Sequence, residues 1–185
     1  MSIYGTNVIV RYEILVKMLL GSTASHSNTI PDNEPLIIQL ILQQRYAEAY
    51  ELLINQQSTQ TSALYNMALC LHWSGSYEEA LKRLESIQLA PQLSNGNKLH
   101  TDSHYQKGRS KQNQTEDYLQ GLSETYVKSF PAMVYDAIVR LKTDCWLNLG
   151  NYTKVIAIAT PIAHKGYKNI TDALKIANTA NDKGV

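Results

Sequence analysis

The chain has 185 residues with 17 Lys or Arg against 16 Asp or Glu, a net charge of +1 that sets up no field to gather nucleic acid or an anionic membrane surface. Its hydrophobic share of 44% can fill a core, while one Phe against 12 Tyr, amid many Asn, Gln, Ser and Thr, describes a globular chain with long polar connections. No run approaches the roughly 18 apolar residues of a membrane span, so the expectation is one domain or one short array of repeats, without a membrane or nucleic-acid partner.

Residues 7–20 place Val8, Tyr12, Leu15 and Leu19 at helical spacing, with Arg11 and Lys17 on the other face, which predicts a first helix capping the rest of the array. Arg11, Glu13 and Lys17 interrupt the apolar core of about seven residues that an export signal needs, so the expected compartment is the cytoplasm. In a chain that is not exported, the Asn-x-Thr patterns at Asn113, Asn151 and Asn169 are chance. After a polar connection over 21–33, Leu36, Ile37, Leu40 and Ile41 predict a compact apolar helix. A turn at Gln43-Gln44-Arg45 comes next, then a second helix carrying Tyr46, Ala49 and Leu53.

The clearest stretch is 63–91. Leu64, Met67, Ala68 and Leu71 form one helical stripe, and beyond Ser74-Gly75 a second stripe runs through Ala80, Leu81, Leu84 and Ile87 to a close at Pro91. Gly75 can take the left-handed conformation that ends the first helix, and Ser76 is placed to cap the second. Glu78 and Glu79 sit in the first turn of that helix, where its dipole favours acids, with Lys82 and Arg83 further along. Tyr77 can wedge between the two helices, and the small Ala80 lets their backbones approach.

The order Leu64-x2-Met67-Ala68-x2-Leu71, then Gly75-x-Tyr77-x2-Ala80-x3-Leu84, then Pro91, resembles the tetratricopeptide repeat. Two mild departures are Leu64 for its Trp and Ala68 for its Gly. Tyr46-x2-Ala49-x3-Leu53 repeats the pattern upstream. Downstream, Gly150-Asn151-Tyr152-x2-Val155-x3-Ala159 does so after a helix with Val134, Ile138, Leu141, Cys145 and Leu149 on one face. Glu116-Asp117-Tyr118-x2-Gly121 stands one family period of about 34 residues before Tyr152 and marks another unit, continued by Leu122, Tyr126 and Phe130. The resemblance implies an all-α, right-handed array of helical hairpins, an α-solenoid. Its repeats, about four, would span 33–61, 62–91, 98–131 and 132–165, flanked by the helix over 7–20 and a C-terminal helix over 170–180. Residues 92–115 are the weak point: with only Leu93, Leu99 and Tyr105 as sizeable apolar side chains, and Gly108 and Arg109 against the pattern, they are either a degenerate helix or a loop.

Little in the sequence points to catalysis. Cys70 and Cys145 each precede their tyrosine by the same interval, on helical stripes and without metal or redox spacing, and read as small core residues with free thiols. Among His26, His72, His100, His104 and His164, only His100 and His104 have the spacing of a zinc helix. Thr101 stands where a zinc protease carries Glu, so they read as a surface pair. The basic run from Lys98 to Lys111 reads as a solvated loop rather than a patch for an anionic partner. The expectation is a non-enzymatic protein needing no cofactor or metal, with a small metal-dependent hydrolase as the alternative from another class.

Tetratricopeptide proteins commonly bind peptides on the concave face lined by the first helix of each repeat. The resemblance therefore implies a protein or peptide partner held by Tyr65, Leu69, His72 and Trp73 of the central unit and by Arg140, Asp144 and Asn148 of the fourth. Packing of the N-terminal helix is the alternative use for the apolar residues among them. A secretion chaperone holding an extended substrate is a further function of the same fold. Asn66 fits the members that grip a C-terminal carboxylate, but the central helix lacks their Lys and Arg, and Asp144 lies four residues past Arg140 to neutralise it. Trp146 stands where the repeat's buried large residue belongs.

Overall fold

The computed structural model describes residues 33–88 and 102–182. The expected helix over 7–20, the closing Pro91, His26 and His100 lie outside them, as do Leu93, Lys98 and Leu99. Every regular element among the described residues is helical: nine α-helices and two 3-10 segments, with no strand.

Helices α1 (Glu34–Leu42) and α2 (Tyr46–Gln56) form the first hairpin. Pro35 occupies the first turn of α1, where its missing N–H leaves no bond unmade. Helices α3 (Thr61–Trp73) and α4 (Tyr77–Glu85) form the second hairpin. Every residue from Ser62 to Cys70 is buried, so α3 is covered on all sides, as its apolar composition requires, whereas α4 buries only Ala80, Leu81 and Leu84. Helices α7 (Pro131–Asn148) and α8 (Tyr152–Ala159) make a third, continued by a 3-10 segment, Thr160–Lys165, and α9 (Lys168–Asp182). Each helix packs on the next in the order α1, α2, α3, α4, α7, α8, α9. One large apolar cluster runs from α1 through α7, and two smaller ones join α7, α8 and α9.

The three hairpin turns share one geometry. Gln44, Gly75 and Gly150 have φ of 60°, 77° and 69°. In each turn two N–H groups reach back to the preceding helix: Gln44 to Ile41 and Arg45 to Leu40, Gly75 to His72 and Ser76 to Leu71, Gly150 to Leu147 and Asn151 to Trp146, all at 2.8–3.0 Å. This is the Schellman closure, which satisfies the last carbonyls of the helix and sends the chain back along it. The tyrosine two residues after each left-handed position opens the return helix. Ser76 departs from its expected role: its hydroxyl accepts from that of Ser74 at 3.0 Å and makes no cap bond to α4. Asn151 does cap, accepting the N–H of Lys154 at 3.1 Å.

The stretch between α4 and α7 is built differently. Ser103–Gln112 is a helix, α5, started by Asp102, whose carboxylate accepts the N–H of His104 at 3.2 Å. It buries none of its residues, because no apolar stripe exists on it. Tyr118, expected to open a second helix, lies instead in the single 3-10 turn Asp117–Leu119. The chain then runs without regular structure to the short helix α6 (Glu124–Ser129). Leu122 and Tyr118 are buried here not as a helical stripe but as two anchors of a non-helical strap.

Candidate functional site

The strap, Asn113 to Glu124, lies against α1, α3 and α7, and polar groups on those helices hold its backbone. Asn66 sits nearly out of solvent on α3. Its Nδ2 donates to the carbonyl of Leu122 at 2.9 Å, and its Oδ1 accepts the N–H of the same residue at 2.8 Å. One amide side chain thus stands in for a strand neighbour. Four residues back, the N–H and hydroxyl of Ser62 donate to Glu124 at 3.4 and 3.1 Å, while Glu34 accepts the N–H of Glu124 at 2.8 Å. The hydroxyl of Tyr65 donates to the carbonyl of Tyr118. Gly121 crosses α1 so closely that a Cβ there would stand 3.3 Å from Ile41 Cδ1 and 3.5 Å from Ile38 Cα.

The other end of the strap is fastened to α7, whose inward face carries Asp136, Arg140 and Asp144 at successive turns. Arg140 is 2% exposed, and its guanidinium lies between the rings of Tyr118 and Tyr167, 4.1 and 4.5 Å from their centroids. It donates to Asp117 at 2.5 Å, to the carbonyl of Thr115 at 2.7 Å and to Asn169 at 2.8 Å. The expected pairing of Arg140 with Asp144 is therefore replaced by an ion pair with Asp117. Asp144 instead accepts from the hydroxyl of Tyr118 and from Asn169 at 3.1 Å. Burial raises its carboxyl above the usual range, against the pull of those two hydrogen bonds. Burial also raises the Tyr118 phenol, with the nearby Asp144 carboxylate adding to the effect. Asp136 accepts Lys165 at 2.7 Å and the hydroxyl of Tyr167 at 2.7 Å, and Arg109 of α5 donates to that hydroxyl at 2.8 Å. Burial, then the hydrogen bond to Asp136, pushes the Tyr167 phenol up to about 12.

The residues singled out from the sequence fall into three places. Tyr65, Arg140 and Asp144 converge on Tyr118, with Leu69 fully buried in the core beneath. His72 is half-buried at the end of α3, its Nδ1 3.7 Å from the buried Cys145 thiol. Burial holds this imidazole below its ordinary value and pushes the Cys145 thiol up to about 12. A buried neutral thiol is a poor nucleophile. Trp73, 48% exposed, stands apart, stacked on Tyr46 with centroids 5.1 Å apart, at an open cleft of ≈ 380 Å³ with Ile38, Leu42, Leu119 and Gly121. Asn148 is exposed at the end of α7 and donates to the Asp144 carbonyl at 2.8 Å. Trp146 is half-buried against the core, with the Lys154 ammonium 6.0 Å from its ring centre.

The sequence reading missed Asp117, Asn169, Asp136 and Tyr167. A signal was present, since charged residues at 136, 140 and 144 on one face of an otherwise apolar helix require partners from elsewhere in the chain. Among the described residues no cluster of three His, Cys, Asp or Glu could hold a metal ion, and no helix is long and apolar enough to cross a membrane. No family model, curated protein or solved structure matches the chain.

Proposed function

We propose that this chain is a non-enzymatic protein-interaction module, a tetratricopeptide-like array whose first helices hold a partner's peptide in extended form. The observation that carries the reading is the pair of bonds from Asn66 to the two backbone groups of Leu122. Main-chain pairing of this kind grips any extended peptide and leaves side-chain pockets to set specificity. The cleft at Trp73 is such a pocket: two stacked rings with little rotamer freedom to lose, bordered by exposed Leu42. A protein partner inserting an apolar side chain there contacts Trp73 directly.

A photo-crosslinking amino acid at Gln120, which lines this cleft, tests the reading beside a control at the exposed Glu51 of α2. The expected result in cell extract is a crosslinked protein seen from position 120 only, and lost with Trp73→Ala while helicity is retained. For the purified partner, Trp73→Ala is expected to cost about 2 kcal/mol of binding, as truncated hot spots do. Equal crosslinking from both positions, or indifference to Trp73→Ala, would remove the cleft as a binding site.

A further inference from the structure

The face that grips the strap meets it group by group. Arg140 is buried with its charge met by Asp117 and its two flat sides covered by Tyr118 and Tyr167. Asn66 is buried with both polar atoms used on Leu122, and only a residue without a side chain passes α1 at position 121 without crowding Ile41. The strap's hold on the molecule is uneven. On its N-terminal side is α5, which buries no residue and is tied to the rest through Arg109 to Tyr167, while Asn113, where the strap begins, donates to the carbonyl of Lys165 and accepts the N–H of Lys168. Only Tyr118 and Leu122 are buried between Glu116 and Ser123.

We infer that the strap is a displaceable ligand carried in cis, and that the face beneath it takes a partner peptide of the pattern acidic, Tyr, Leu, any residue, Gly, Leu. This rests on the peptide-binding reading but concerns a second state of the molecule, because the strap itself forms one wall of the Trp73 cleft. The chemistry of that peptide is dictated by the groups left bare when the strap departs. A buried guanidinium without a carboxylate, or a buried amide without backbone partners, is strongly unfavourable, so a competing peptide has to return both. It must bring an acid to Arg140, a ring to lie on it, and extended backbone to Asn66. A peptide lacking the acid leaves Arg140 unpaired, and one with a larger residue in place of the glycine crowds Ile41 Cδ1. Elements that open below the global unfolding limit are those with few buried apolar contacts: α5 buries no residue and the strap adds only Tyr118 and Leu122 to the core, against nine buried residues in each of α3 and α7.

Two measurements decide it. In native-state hydrogen exchange on the full chain, the amides of Leu122 and Glu124 are expected to open at least about 100-fold more often than those of Leu69 in α3 and Leu141 in α7. Opening of all four at one common rate would make the strap a permanent part of the core and overturn the inference. In the second, Gly121→Val wedges the strap off α1 without altering any group of the face. A synthetic peptide of residues 113–126 is expected to bind this variant at least about 10-fold more tightly than it binds the unaltered chain, since affinity scales with the fraction of open face. Adding Asn66→Ala should abolish that binding, and an Asp117→Ala peptide should fail. Equal affinity for the variant and the unaltered chain overturns the inference. Should Gly121→Val not fold, the exchange measurement decides alone. If the strap proves permanent while a crosslinker at Gln120 still captures a partner, only the cis-ligand inference falls and the Trp73 cleft stands.

Discussion

The α3–α4 hairpin and the strap from α5 to α6 both bury tyrosines, but by opposite means. In the hairpin, apolar side chains at helical spacing meet across a turn that a left-handed residue closes, and the same helices go on to pack against α2 and α7. In the strap, Tyr118 and Leu122 are drawn in by Tyr65, Asn66, Arg140 and Asp144, which stand 22 to 56 positions away along the chain. Local periodicity suffices where burial is apolar. Where it is polar, each donor must find its own acceptor, and the fold depends on individual side chains.

Removing the strap's anchor is expected to have the largest effect. Arg140→Ala leaves Asp117 without its cation and opens a gap between two tyrosine rings, and should lower stability by about 3 kcal/mol or more in urea denaturation, in the range for breaking a buried pair. A loss no greater than that of an exposed pair such as Lys82–Glu79 would show the strap to be a passenger. Breaking the hairpin is expected to cost less: Ala80→Leu inserts three carbons at a fully buried contact, with a penalty of about 1–3 kcal/mol from overpacking. An unchanged melting temperature would mean that α3 and α4 have room to separate. The smallest change sharpens the comparison among the turns. Gln44 holds the left-handed position that glycine holds at 75 and 150, so Gln44→Gly should raise stability by up to about 1 kcal/mol, measured as an increased melting temperature. Gly75→Ala should lower it, although nothing lies within 4 Å of the added Cβ, because the strain is in the backbone alone.

Much of the helical architecture was legible because it rests on spacing. The stripes through Leu64 and Leu84, through Ile37 and Leu53, and through Val134 and Val155 each became a hairpin, and Lys175, Asn178 and Thr179 face outward on α9 as their polarity requires. The segment over 92–115, which composition fits equally to a loop or a degenerate helix, is helical from Ser103 to Gln112, capped by Asp102 and tied to the rest of the molecule by Arg109. Tyr118 misled because its distance from Tyr152 matches a repeat while its surroundings do not. Glu116, Asp117, Gln120 and Gly121 offer no apolar stripe, so the residue is buried by reach rather than by helical phase.

Of the candidate site, Tyr65, Arg140 and Asp144 were identified as residues of one face, and they do converge, but on a segment of their own chain. Their partners Asp117 and Asn169 carry no mark in the sequence, since an acid in a polar stretch and an amide near a helix start are ordinary there. By itself the sequence determined the three hairpins, where they turn and which of their stripes face inward, because these depend on a period and a backbone angle expressed within a few residues. Only the tertiary structure decided that Arg140 answers to Asp117 rather than to Asp144, and that Asn66 holds Leu122. A buried charge or amide pairs with whichever group the packing of distant helices delivers to it, and that choice is made in space, not along the chain.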